Sequence, residues 1–370
     1  MAKAKVARTK KSKVEKIKDD VVFEVARLFC DGKKATPISE WLRKLEQLPF
    51  KPSREIVYPI LVEALRRNFI QLRAPYEIER RDEVAGCYSL PKKNIHVVNA
   101  RGESALQQVA YAAADLAFEI ILRLAAKQPV VHIGLGAGWT TMMFARHLAD
   151  LLRDETRIGE LTLHALSSGF SVEDTHTAPV SFFSFFDGVR PKTSFVGLFA
   201  PPFVETGDYD RVIGSPGVRR SFELASEIDI VVTSLARAED DHGDLKVFLK
   251  HGTPGPAGNG PDPGLKALER AGWIGDVQYR PYSKDGPLQQ DTGIRAVTIF
   301  DLAHLVSLAS RQDKHVILLA GPCGVCKETK AAALEPLLRN PRLRVWKHLV
   351  LDVATAEELV AMSGGAQGSP

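Results

Sequence analysis

Beyond Pro129 the chain alternates short apolar runs with amphipathic stretches, and this pattern narrows the fold more than any other feature. The runs Val130–Leu135, Leu161–Leu166, Ser194–Phe199, Ile228–Leu235, His315–Ala320 and Arg344–Leu351 are mostly apolar and too short for helices. Such runs belong to strands buried on both faces of a parallel sheet. Helical periodicity fills the gaps: Thr140–Arg153, Val218–Glu227, Leu265–Ala271, Phe300–Ser310, Glu328–Arg339 and Ala356–Met362. Together they predict an α/β domain, a Rossmann-like parallel sheet flanked by helices. Ahead of it, Leu106, Val109, Ala113, Leu116, Ile120, Ile121 and Leu124 mark one face of a long amphipathic helix. Thr355 and Glu358 have capping-box spacing at the last helix. Residues 251–264 alternate Gly and Pro and are expected to form a surface loop.

The front of the chain reads differently. Val21, Val22, Val25, Leu28 and Phe29 recur at helical spacing until Asp31-Gly32. Thr36-Pro37 reads as an N-cap followed by proline at the first helical position, with Ile38, Trp41, Leu42 and Leu45 as the stripe. A third helix runs from about Ser53, and Phe69–Leu72 alternates like a short strand. Three short helices and a strand predict a small, mostly helical winged helix-turn-helix domain. Pro59 falls inside its third helix, where proline is expected to kink the chain. The expected divisions are a disordered basic arm at 1–19, the helical domain at 20–75, a connector at 76–104 and the α/β domain at 105–370.

Charge supports that division. Residues 1–20 carry a net +5, residues 21–80 a net +3, and the rest of the 370-residue chain a net −4. A positive front implies a polyanionic partner there and another task elsewhere. Lys10, Lys11 and Lys13 of the arm, with Ser53, Arg54, Tyr58, Arg66 and Arg67 off the apolar face of the third helix, are the candidate DNA contacts. An alternative is a helical dimerisation module with a solvated basic face. Four cysteines make no disulfide framework, no apolar run reaches the ~18 residues of a membrane span, and a cytoplasmic location is expected.

Gly134-Leu-Gly136-Ala-Gly138-Trp-Thr140-Thr141 joins the first strand to the next helix. Glycines let a ligand approach the backbone, and a helix start offers bare N–H groups to an anion. No lysine follows, so the turn is no P-loop, and no acidic residue ends the second strand as in dinucleotide folds. A phosphate or sugar phosphate is the expected guest.

From about Tyr76 to Met362 the chain resembles the effector-binding domain of SorC-type sugar-responsive transcriptional regulators. The resemblance rests on Gly138–Thr141, Leu166–Gly169, Ala200-Pro201-Pro202, the Val218–Ala225 helix leading to Asp229, Gly272–Asp276, Lys330 with Ala331–Arg339, and Val353–Ala356, in that order. It implies a fold similar to ribose-phosphate isomerases and glucosamine-phosphate deaminases, a DNA-binding front domain, a sugar or sugar-phosphate effector, and a homodimer or homotetramer. The implied effector contacts are Gly136, Gly138, Thr140, Thr141, Ser168, Gly169, Arg219, Glu239, Asp276 and Lys330. Asp276 would accept from sugar hydroxyls while Lys330 or Arg219 meets a phosphate. Lys327 is the alternative to Lys330.

Other constellations stand beside this one. An isomerase or deaminase would carry a carboxylate base where the chain reads Ser234-Leu-Ala-Arg-Ala-Glu239, so only Glu239 supports an enzyme. Glu173-Asp174-x-His176 and Glu239-Asp240-Asp241-His242 combine metal-ligating types, but charge runs after strands are ordinarily solvated loops. Cys323-Gly-Val-Cys326 sits between strand and helix as a redox pair would, without a thioredoxin pattern around it. Zinc would need two more ligands, and Cys30 and Cys87 are distant in sequence. No metal, no cofactor and no catalytic residue are therefore expected.

Overall fold

The structure is a computed structural model that describes residues 14–45, 48–67, 69–168, 175–251, 263–289 and 292–365. The chain divides into two compact units, Met1–Arg73 and Ala74–Pro370.

In the first unit, helices α1 (Asp19–Cys30), α2 (Ala35–Arg43) and α3 (Val57–Arg66) bury Val22, Val25, Ile38, Leu42, Val57, Ile60 and Ala64 against one another. Gly32, at φ +83°, closes α1. Helix α2 starts two residues earlier than the Thr36-Pro37 signal implied, with Lys34 before its first residue, so both residues lie in its first turn. A 3-10 turn, Arg54–Ile56, precedes α3 and makes Pro59 its third residue. An N–H there has no intrahelical acceptor, so the expected kink has no cause. Phe69–Leu72 is not a strand. The Phe69 amide instead donates to Ala64 O at 2.8 Å, and its ring meets Phe23 edge-on at 5.9 Å.

The second unit begins with α4 (Ile78–Cys87), β1 (Ile95–Val98), α5 (Ala105–Ala125), β2 (Val130–Leu135), α6 (Trp139–Leu152), β3 (Glu160–Ala165), α7 (Pro179–Phe182) and β4 (Lys192–Val196). It continues with β5 (Phe203–Glu205), α8 (Tyr209–Ile213), α9 (Pro216–Glu223), β6 (Ile230–Arg237), α10 (Asp244–His251) and α11 (Pro263–Arg270). A run of short strands follows: β7 (Gly275–Val277), β8 (Arg280–Ser283), β9 (Gly286–Pro287) and β10 (Ile294–Ala296). The last elements are α12 (Leu302–Ser310), β11 (His315–Ala320), α13 (Ala331–Arg339), β12 (His348–Asp352) and α14 (Val353–Gly365).

The central sheet runs β1-β12-β11-β6-β2-β3-β4, every neighbouring pair parallel. The expected connector is thus partly inside the fold: β1 is an edge strand and α4 packs on α14. Side chains alternate between the two cores. Ile230, Val232, Ile317, Leu319 and Val350 enter the layer under α5 and α6, whereas Val231, Val316, Leu318, Leu349 and Leu351 enter the layer under α12, α13 and α14. Each such aliphatic side chain contributes about 1.5–3 kcal/mol by leaving water. Helix α5 is long and apolar enough on length and composition to cross a membrane, which the run-length reading missed; half of that stretch is buried inside this core. At the last helix Asp352 is the cap, accepting from the Thr355 hydroxyl at 2.7 Å and amide at 3.2 Å. The expected Thr355–Glu358 box is not used, and Glu358 accepts from Thr329 instead.

Chain direction across the sheet reverses at β2. From there the path runs to β3 and β4 on one side and to β6, β11 and β12 on the other. Ligands of open α/β sheets bind beyond the carboxyl ends of the strands at such a reversal. Off the end of β6, strands β7, β8 and β9 turn back antiparallel.

Candidate functional site

A cavity of about 280 Å³ opens where β2 and β6 part. Its walls come from the turn after β2 (Ala137–Thr140), Ser167 beyond β3, the end of β6 with the turn to Asp244, the β7–β8 hairpin, and the loop after β11 with Lys330. Gly138 has φ +114°, a conformation side chains rarely adopt, and among the described residues no side chain caps α6 behind it. The first-turn amides of α6 are therefore left for a ligand. Gly136 serves packing instead: a Cβ there would stand 2.8 Å from Thr233 Oγ1, and the residue does not line the cavity.

The opposite wall is a two-residue hairpin. Gln278 and Tyr279 link β7 to β8 with φ of +52° and +60°. Two consecutive left-handed non-glycine residues cost on the order of 1–3 kcal/mol each, strain that clusters at ligand sites. Both residues line the cavity. The Gln278 amide is buried with neither its oxygen nor its nitrogen hydrogen-bonded among the described residues. Asp276 accepts from the Tyr279 amide at 3.2 Å and is buried; desolvation, then the charge of Asp244, push its carboxyl up to about 7. Lys330 is also buried, donates to Leu235 O at 2.6 Å, and is held below the ordinary lysine range by desolvation.

Gly138, Thr140, Asp276 and Lys330, four of the residues implied by the resemblance, line this cavity. Thr141 is the next residue of α6, buried, its hydroxyl without a partner among the described residues. Ser168 is buried just past β3, its hydroxyl equally unpartnered among those residues, and Gly169 lies outside them. Arg219 and Glu239 are not among the residues lining the cavity. Arg219 is an exposed residue of α9 that pairs with Glu223 at 3.2 Å, and Glu239 is exposed. The Lys327 alternative falls too, since its ammonium donates to Gly324 O on the surface. Sequence reasoning missed Gln278 and Tyr279, and it named Asp240 and His242 only to set them aside. The hairpin lacks the Asn-Gly signal of its turn type, and the last two belong to a charge run that reads as solvated.

Beside the cavity, Asp240, His242, Cys323 and Cys326 offer ligand atoms all within 4.8 Å of one another. His242 Nε2 lies 2.9 Å from Cys323 Sγ, and Asp240 Oδ1 lies 3.8 Å from Cys326 Sγ. Burial opposes ionisation of the Cys323 thiol, but the Val325 amide, His242 and the Cys326 side outweigh it and lower its pKa.

In the first unit, Lys33, Lys34, Arg54, Tyr58, Phe29 and Thr36 line a basic concavity between the end of α1 and the start of α3. Arg54 and Tyr58 are exposed there, and Ser53 is half-buried at the start of the 3-10 turn. Arg67 has a different task. Its guanidinium bonds Glu63 at 2.6 Å, Asp19 at 2.6 Å, Ile17 O at 2.8 Å and Glu15 O at 3.0 Å, tying the chain before α1 to α3. Arg66 also bonds Glu63, at 2.8 and 2.9 Å, but stays exposed. Lys10, Lys11 and Lys13 lie outside the described residues.

The sequence matches no protein-family model and no curated protein. The structure is similar to full-length SorC, the sorbitol operon regulator of Klebsiella pneumoniae, with a TM-score of 0.59 at 15% identity over 93% of this chain and 99% of that one. A DeoR family transcriptional regulator from Listeria monocytogenes matches with a TM-score of 0.56 at 16% identity, covering 76% of this chain and 98% of the other. A transcriptional regulator from Streptococcus pneumoniae matches with a TM-score of 0.56 at 14% identity, covering 77% and 97%. The chain therefore has the SorC-type fold, and the match to full-length SorC extends beyond the second unit into the first.

Proposed function

We propose that this chain is a DNA-binding transcriptional regulator whose second unit binds a sugar or sugar-phosphate effector. One observation carries the reading: within a fold shared with a full-length sorbitol operon regulator, a cavity at the sheet's reversal point combines an uncapped helix start, a buried lysine, a buried carboxyl and an unsatisfied amide. A phosphate suits the first-turn amides of α6 and Lys330, and sugar hydroxyls suit Gln278 and Asp276. Gly136, which packs on Thr233, supports the turn without touching the guest.

The first unit supplies the DNA contacts, from Lys33, Lys34, Arg54 and Tyr58 together with the basic arm. The first unit, Met1–Arg73, is the DNA-binding domain, and the second, Ala74–Pro370, is the effector domain, with the expected connector partly inside it. A closed homodimer or homotetramer in the cytoplasm would present two such domains to paired half-sites, and the effector would act by shifting the balance between arrangements of different spacing. The enzyme alternative loses its support because Glu239 is exposed and is not among the cavity-lining residues.

Two measurements test the reading on the full chain. A thermal-shift panel of sugar phosphates, with the matching free sugars, should raise Tm for at least one phosphate. Fluorescence anisotropy with genomic fragments from around the gene should give salt-dependent binding that the same phosphate alters. Absence of salt-dependent binding overturns the regulator; binding that no phosphate or sugar affects overturns the effector.

A further inference from the structure

The turns after β6 and β11 leave neighbouring parallel strands, since Ser234 pairs with Leu319 in the sheet. They emerge side by side, and each brings two ligand types: Asp240 and His242 from one, Cys323 and Cys326 from the other. We propose that these four side chains bind one divalent transition-metal ion with the preferences of zinc, at a site independent of the effector reading.

The ligand set and its spacing support this. Two sulfurs, an imidazole and a carboxylate suit a borderline-soft ion and are wrong for magnesium or calcium. Bonds of about 2.3 Å to sulfur and about 2.0–2.2 Å to nitrogen or oxygen give tetrahedral edges of roughly 3.3–3.8 Å. The observed 2.9 Å between His242 and Cys323 and 3.8 Å between Asp240 and Cys326 bracket that range. With all four atoms within 4.8 Å, closing on an ion needs a contraction of about 1.5 Å at most.

The surroundings are arranged for it. The Val325 amide points at Cys323 Sγ from 3.4 Å, a donor that supports a thiolate. Lys327, at φ +65°, closes the turn with its amide on Cys323 O at 3.1 Å, which folds Cys326 back beside Cys323. Arg237 grips Asp240 Oδ1 at 2.6 and 3.0 Å and reaches Thr329 O at 3.1 Å, an outer partner that orients the carboxylate. Two thiolates and one carboxylate balance a divalent ion and the Arg237 guanidinium. Cys326 is exposed, which gives the ion a way in. Asp240, His242 and Cys323 also line the cavity, so the ion would brace two of its walls.

The test uses the full chain, untagged and kept reduced. Elemental analysis should find one zinc per chain. Apoprotein prepared with a chelator and titrated with Zn²⁺ alone, against a chromophoric chelator, should recover one equivalent. Cobalt substitution should give thiolate-to-metal charge-transfer absorption. Cys326→Ser changes an exposed side chain, and it should weaken binding by at least ~10-fold, the least that losing even an outer partner costs. His242→Ala should do the same, while the Cys30→Ser, Cys87→Ser double variant should keep one equivalent. No bound equivalent in the reduced wild type, or wild-type affinity in Cys326→Ser and His242→Ala with unchanged circular dichroism, overturns the proposal.

Discussion

Lys330 and Asp276 are both buried in the wall of one cavity, yet the Lys330 ammonium donates to Leu235 O at 2.6 Å and forms no ion pair with the carboxyl. A buried base and a buried acid thus line the same cavity without a direct ion pair. A bound anion would complete the lysine, and a hydroxyl would satisfy the acid.

Replacing Lys330 by methionine therefore separates binding from folding. The buried ammonium is costly in the free protein, so Lys330→Met should leave Tm near the wild-type value. Loss of a charge-assisted contact of about 1.5–3 kcal/mol should weaken a phosphorylated ligand by roughly 10–100-fold. Calorimetric titration with the best phosphate from the thermal-shift panel measures this, and an unchanged Kd removes Lys330 from the site.

Asp276→Asn should gain stability where the wild type loses it. The folded pKa, about 7, lies above the ordinary 3.8, so the folded protein holds its proton more tightly than the unfolded chain. That contribution is complete below about pH 3.8 and is lost as pH rises through about 7. Asparagine keeps an oxygen for the Tyr279 amide and carries no charge. The variant should melt above wild type at pH 8 by at least about 1 kcal/mol, or ~2–4 °C, with the gap shrinking toward pH 5. Ligand affinity should fall at the same time. A gap independent of pH would mean that Asp276 does not titrate as its burial implies.

The central strands were readable because they are mostly apolar runs, the mark of burial on both faces, and His315–Ala320 matches to the residue; the edge strand Lys192–Val196, with no buried residue, starts two residues before its apolar run. Helix boundaries were less so. At Val57–Arg66 a 3-10 turn takes the first residues, and nothing in the local pattern tells where it hands over to the α-helix. At the site, Gly138 and Lys330 were legible from a turn pattern and a resemblance. The Gln278–Tyr279 hairpin was not, since it breaks the residue preferences by which such turns are found. Asp240 and His242 were also hidden as ligands, because their partners stand on another strand and only the sheet order joins them.

Acid should unfold the second unit through histidines paired between its strands. His315 Nδ1 meets His348 Nε2 at 3.0 Å, and His132 Nδ1 meets His164 Nε2 at 2.9 Å. Desolvation first, then neighbouring positive charge, depresses His164 and His315 to about 4 and His348 to about 3. These rings stay neutral in the fold but bind protons near pH 6.5 when unfolded. The stability they support is present above about pH 6.5 and is lost as pH falls toward about 4 and 3. Each contributes a slope of up to about 1.4 kcal/mol per pH unit inside that window. Urea midpoints from pH 7 to pH 4.5 should fall steadily, and a His315→Asn, His348→Asn pair should flatten the slope. Equal slopes in the two proteins would place the acid sensitivity elsewhere.

The two arginine classes of the first unit should part under mutation. Arg54 is exposed in the basic concavity, whereas Arg67 is largely buried and holds Glu63, Asp19 and two carbonyls. Arg54→Ala should leave thermal stability within about 0.5 kcal/mol, as for a surface change. On DNA it should lower affinity and reduce the salt slope by about 1, the mark of a lost phosphate contact. Arg67→Ala leaves the buried Glu63 carboxylate with Arg66 alone and should cost about 1–3 kcal/mol, seen as lost amide protection in α1 and α3. Its effect on DNA should then follow unfolding of that unit and disappear where the unit is still folded, at low temperature. A reduced salt slope for Arg67→Ala with intact amide protection would reverse the assignment, making Arg67 the reader and Arg54 a bystander.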